Sequence, residues 1–318
     1  MNAAPTPLLW SLQTLISLTI LLIFMGGGWS WWQLCEQLAR GEAPLPFTPR
    51  RTVPWGLLDI LVGMMLWVLL GVGTVLLLKQ VAGIDLAVDL PETKRDDFDR
   101  SLLDSLARVA AVLLIATLIA KRTGCESFDL GWSPRHVIGD VLLGVRAFVT
   151  LALPVFALQL ILTKVWPSQH PLIEALKAEQ EPRMLAQAFI MAVICAPIAE
   201  EFLFRVLFQG WLEKLFDPQA MQRANYGENV LWGEHALAEK DATNSEPVYA
   251  AFAPIFISAL VFALLHFSHG PDWIPLLILS LGLGYLYRRT HRVLPGLIVH
   301  FLLNLLSMLS LCVQLHSP

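Results

Sequence analysis

Eight runs of mostly apolar residues, each near the length a helix needs to cross a bilayer, confine what this chain can fold into. About 20 such residues span the hydrocarbon core as a helix. The runs fall at roughly 8–32, 55–78, 102–120, 137–164, 185–213, 250–268, 272–288 and 293–314. The expected fold is all-α, a polytopic membrane helix bundle with about eight transmembrane helices. Of the 318 residues, 56% are hydrophobic and only 15% charged. Soluble domains carry nearer a quarter charged residues. The third run is the weakest, because Asp104 and Arg108 occupy its first turns; their i,i+4 spacing lets them pair. Pro271 and Pro295 stand where the last two helices should begin, a position that tolerates proline.

The N-terminal run is not read as a secretory signal. No Lys or Arg precedes Arg40, and the apolar stretch outruns a signal's core. It reads as a first span, with Trp29, Trp31 and Trp32 as an interfacial belt. Cys35, Cys125, Cys195 and Cys312 form no CxxC pair, so buried thiols are expected rather than disulfides or a cysteine metal site. Residues 85–100 and the loop at 214–249 are polar and read as aqueous. The loops after helices one, three, five and seven hold twelve Lys and Arg against seven on the other side. The positive-inside rule then puts both termini outside. A net charge of −4 argues against nucleic acid as a partner.

Within the fifth run, Glu200 and Glu201 stand side by side, with Arg205 beyond them. Each carboxylate costs several kcal/mol in a membrane helix, so the default reading is a functional site. Glu201 and Arg205 are four apart and can form an ion pair. Glu200 lies about 100° further round the helix, freer to face a cavity. Pro197 removes a backbone donor just upstream and favours a bend. Later helices offer partners: His266 with Phe262 one turn earlier, and His300 with Asn304. His269, near a loop, is expected at the interface. A carboxylate and an imidazole can activate water as a general base, and a second imidazole and an amide can stabilise an oxyanion. The depths conflict: His266 lies about sixteen residues into its helix and His300 about seven, a mismatch of roughly 13 Å that tilt or different helix ends must absorb. Interhelical hydrogen bonding in a non-catalytic immunity or scaffold protein, or a proton relay in a transporter, would use the same groups. The absence of an internal repeat weakens the transporter reading.

Three motifs stand in order within apolar helices: Glu200-Glu201-Phe202-Leu203-Phe204-Arg205 (EExxxR), Phe262 to His266 (FxxxH) and His300 to Asn304 (HxxxN). Together with Leu130-Gly131-Trp132 and His170-Pro171, they resemble the CPBP family of intramembrane proteases. That group comprises the CAAX proteases and bacteriocin-processing enzymes, also called the Abi family. The resemblance spans about 130–312 and suggests helices with loops at 1–129 and a catalytic core at 130–318. It implies an intramembrane endopeptidase in which Glu200 and His266 activate water and His300 and Asn304 form the oxyanion hole. Glu201, Arg205 and Phe262 would support the site. No cofactor is implied, although a zinc-dependent version would use Glu200, His266 and His300 as ligands. Implied partners are a peptide or protein substrate, prenylated or membrane-bound, and the lipid bilayer. The expected location is the plasma (inner) membrane, with the site reached from the cytoplasm.

Overall fold

The computed structural model describes residues 7–81, 94–166, 171–178, 181–217 and 248–315. Among them the chain forms helices joined by turns, with no strand. In order these are α1 (Pro7–Ala39), α2 (Leu57–Val81), α3 (Lys94–Thr123), α4 (Val137–Val165) and the short α5 (Pro171–Ala178). A helical stretch then runs unbroken from 182 to 215. It comprises α6 (Pro182–Phe189), a π-helical stretch Ile190–Cys195, α7 (Ala196–Glu201), a second π-helical stretch Phe202–Gln209, and α8 (Gly210–Leu215). The last three helices are α9 (Val248–Leu264), α10 (Trp273–Thr290) and α11 (Val293–Leu315). All eight expected runs are helical, and α5 is an addition. Most of the two polar stretches, 82–93 and 218–247, lies outside the described residues, as does His170.

Among the described residues, five helical segments are long and apolar enough to cross a membrane: Gln13–Ala39, Leu57–Thr74, Phe98–Thr123, Pro134–Val165 and Val293–Leu315. The third run, the weakest by sequence, is among them. Its Arg108 Nε donates to Asp104 Oδ2 at 2.7 Å, and the guanidinium stacks over Trp67 at 4.2 Å. The pair is held at the α2–α3 contact, which lowers the cost of its charges. The other three expected spans depart from simple membrane helices. The 182–215 stretch carries the Glu-Glu-Arg group, α10 ends in Arg288 and Arg289, and α9 stops at Leu264 instead of continuing to 268.

The packing centres on α4, α10 and α11. Gly144 of α4 lets α11 approach so closely that a Cβ there would stand 2.6 Å from Ile298. Phe148, Leu283, Leu286, Val299 and Leu303 fill that core. A second core joins α2 and α3 to the 182–215 stretch and α9 through Ile60, Ile115, Leu203, Leu207 and Phe262. Helix α1 lies against α4. The Trp belt is partly spent on that contact: Trp31 Nε1 donates to the Thr150 carbonyl at 2.8 Å, and α1 continues seven residues beyond Trp32 to Ala39. The expectation of buried thiols holds only for Cys195; Cys35 is exposed, Cys125 and Cys312 are half-buried, and all four are free.

One face is closed by a non-helical strap, residues 40–56, between α1 and α2. Trp55 is fully buried and donates to the Leu207 carbonyl at 3.1 Å. Arg51 grips Asp129 with two hydrogen bonds, and the Thr48 amide donates to the Arg289 carbonyl at 2.8 Å. Arg50 donates to Tyr287 Oη at 2.8 Å and to Glu213 Oε2 at 3.2 Å. His291, the one non-glycine residue with positive φ among those described, turns α10 into α11. Its Nε2 meets Glu213 at 3.2 Å and its Nδ1 the Thr48 carbonyl at 2.7 Å. At the opposite end, Arg183 and Gln187 both bond Asp99, tying α6 to α3.

Candidate active site

Glu200 and Glu201 occupy a single short α-helical segment between two π-helical stretches. A π-turn widens the helix and rotates the residues that follow, and such bulges recur at functional sites. The upstream stretch ends at proline for a backbone reason. The Ala196 N–H bonds back five residues, to the Met191 carbonyl. The next bond of that register would run from residue 197 to the Ala192 carbonyl, and Pro197 has no N–H. The sequence expectation of a bend at Pro197 therefore appears as a change of helical register.

The two glutamates part company sharply. Glu201 is buried and its carboxylate is divided between two partners. Oε2 accepts from Arg205 Nε at 3.3 Å, and Oε1 meets His300 Nδ1 at 3.1 Å. Arg205 is equally buried and spreads its remaining N–H groups to Ser280 Oγ at 2.8 Å and Ser258 Oγ at 3.4 Å, with its guanidinium 5.6 Å from the Phe262 ring. Glu200 keeps 24% of its side chain accessible. Its Oε2 lies 3.5 Å from His300 Nε2, and its charge is within electrostatic reach of His266.

His300 thus stands between the two carboxylates. A carboxylate accepts and does not donate, so the ring proton facing Glu201 is on Nδ1. The other nitrogen, Nε2, can donate only in the imidazolium form and is a base in the neutral form.

His266 does not lie deep in a long helix. α9 ends two residues before it, and His266 sits in the following turn with Nδ1 2.9 Å from the Phe262 carbonyl. Phe262 is the common wall. Its ring centroid is 4.9 Å from His266, 6.2 Å from His300 and 5.2 Å from Phe204. The expected depth mismatch is absent, since the two histidines share one aromatic neighbour. The His269 side chain lies outside the described ones.

Asn304 stands one helical turn beyond His300 on α11. Its Nδ2 donates to the Ala192 carbonyl at 2.8 Å, on the first π-helical stretch.

Sequence reasoning missed Ser258, Ser280 and Gly296. Ser258 and Gly296 each stand four residues before a motif residue, Phe262 and His300, and so share its helix face. A Cβ on Gly296 would come 2.9 Å from Glu201 Oε2, so glycine makes room for the carboxylate. Ser280 belongs to α10, which carries none of the three motifs. As for zinc, no group of three His, Cys, Asp or Glu side chains is arranged to hold a metal ion among the described residues.

Residues 182–306 match the family model of the type II CAAX prenyl endopeptidases, Rce1-like. Over this stretch the chain is similar to the CAAX prenyl proteases. The match takes in all three motifs and every helix that lines the site, and the family is one of hydrolases that cut peptide bonds in the membrane. With five apolar spans among the described residues, the chain is an integral membrane protein. No curated protein and no solved structure matches it.

Proposed function

We propose that the protein hydrolyses a peptide bond within or beside the membrane, using water activated by Glu200 and His266. The observation that carries this reading is the unequal treatment of two adjacent carboxylates. Glu201 is neutralised by Arg205 and buried, while Glu200 remains accessible beside His300 and within electrostatic reach of His266. A structural pair would have both glutamates satisfied. Glu200 takes the proton of the attacking water, and His266 shares that task across the Phe262 ring. His300, fixed by Glu201, presents Nε2–H to the developing oxyanion as an imidazolium. General acid–base assistance of this kind supplies about 10²–10⁴ in rate. No serine or cysteine nucleophile enters the scheme, and no step requires a metal.

Prenylated proteins ending in a CAAX sequence are the proposed substrate class, by virtue of the family match. The groups facing Glu200 accept any scissile carbonyl, so specificity lies in how the chain beyond it is seated. The test compares membranes carrying wild type or Glu200→Gln at matched abundance, by proteomics of peptide termini. New C-termini that appear only with wild type are expected, and their flanking sequences name the substrate. Identical terminal peptides in both samples would refute the proteolytic reading.

A further inference from the structure

We infer that Asn304 is a positioning residue whose carboxamide replaces the backbone donor missing at Pro197, and that this bond sets the direction in which Glu200 faces. The inference rests on the proteolytic reading for its effect on rate, and on backbone geometry alone for the bond itself.

The register makes the case. The last i→i−5 bond of the upstream π-helical stretch joins the Ala196 N–H to the Met191 carbonyl. Continuing that register by one residue would require an N–H at position 197, where proline stands. The Ala192 carbonyl is thereby stripped of its helical partner, in a region where an unsatisfied backbone group is costly. Asn304 Nδ2 lies 2.8 Å from that oxygen and comes from a different helix, α11. Residue 304 is one helical turn beyond His300, so the same face of α11 holds both Glu201 and the Ala192 carbonyl. Helix α11 therefore grips the 182–215 stretch at two points, one on each side of Pro197. Glu200 lies three residues beyond Pro197, and its orientation follows from the turn that Asn304 secures. With one N–H of Nδ2 held by a carbonyl on the helix, the carboxamide ties α11 to the turn that leads to Glu200.

Two roles for Asn304 make opposite predictions about Pro197. A donor to the oxyanion is lost with Asn304→Ala whatever stands at position 197. A stand-in for the proline's missing N–H becomes partly dispensable once an amide is restored there. The experiment is a double-mutant cycle on the full-length chain in detergent, with Pro197→Ala, Asn304→Ala and both together. It is read by thermal unfolding and by cleavage of a farnesylated CAAX reporter peptide. Asn304→Ala is expected to lower kcat roughly 10- to 100-fold, as small misplacements of reacting groups do, with KM little changed. In the double variant most of that loss in kcat should be regained, and the drop in Tm should be smaller than the sum of the single effects. Where Asn304→Ala fails to accumulate, Asn304→Leu supplies similar bulk without a donor. Additive effects on both Tm and kcat, with an active wild type, would overturn the proposal. A wild type that leaves the peptide intact, with coupling in Tm preserved, would sink the CAAX reading and leave the hydrogen bond standing.

Discussion

At the residue scale, two neighbouring glutamates differ because only one of them has cationic and imidazole partners within hydrogen-bonding distance. Removing charge from each should therefore have different consequences. Glu200→Gln keeps shape and leaves the Glu201–Arg205–His300 group intact, so fold and abundance should persist while cleavage falls by about 10² or more. Glu201→Gln leaves a buried guanidinium short of its only carboxylate, and breaking such a pair costs about 3–5 kcal/mol. That variant should lose thermal stability as well as activity. Equal melting losses in the two variants would argue against this division. Gly296 offers a finer probe. A methyl group there meets Glu201 Oε2 at 2.9 Å, and that oxygen is pinned by Arg205. Gly296→Ala should push the carboxylate from its place and cost about 1–3 kcal/mol, the range for overpacked sites. Unchanged melting and unchanged cleavage in Gly296→Ala would show that the carboxylate is looser than its contacts suggest.

At the element scale, the strap of residues 40–56 holds the ends of α8, α10 and α11 together, and its bonds respond to acid. Burial works to raise the Asp129 carboxyl. Arg51 and the Glu126 N–H outweigh it and hold Asp129 below the ordinary carboxylate range. Burial lowers His291, and Arg50 adds to that. Glu213 and the Thr48 carbonyl oppose, and the ring stays below its usual value. The signs agree. For His291 the unfolded chain takes up its proton first, so stability is lost as pH falls below about 6.5. For Asp129 the contribution is complete above about 3.9 and is lost as pH falls through its lower folded value. Amide exchange at Thr48, whose N–H bonds the Arg289 carbonyl, should lose protection between pH 7 and pH 5 once corrected for intrinsic rates. Constant protection over that window would exclude a role for His291. None of this strap was legible in the sequence, because residues 40–56 have no periodicity and find their partners far along the chain. The helices were legible from apolar length alone. The motif residues stood out because each is polar where lipid or a packed core is the default. The π-register was not legible. Pro197 announced an interruption, but its form depends on Asn304, which lies more than a hundred residues away.

At the scale of the whole molecule, the charged ends are sorted. Arg50, Arg51, Lys214, Arg289 and Arg292 meet on the strap face, bonded to one another's neighbours, whereas Arg183 joins Asp99 at the other end. The alternation inferred from loop charges is thus physically consistent, because loops assigned to one side touch each other. We propose that the strap face is cytoplasmic, since the excess of Lys and Arg lies there. Single cysteines can decide it, in a background whose four native cysteines are replaced by Ala. Glu42→Cys and Arg135→Cys mark the strap face; Glu174→Cys and Lys177→Cys mark the opposite end, and all four positions are exposed. A membrane-impermeant maleimide should label positions 174 and 177 in intact cells, and positions 42 and 135 only after permeabilisation. The reverse pattern would invert the protein and with it the side from which substrate reaches Glu200. Labelling of all four in intact cells would break the alternation on which the orientation rests.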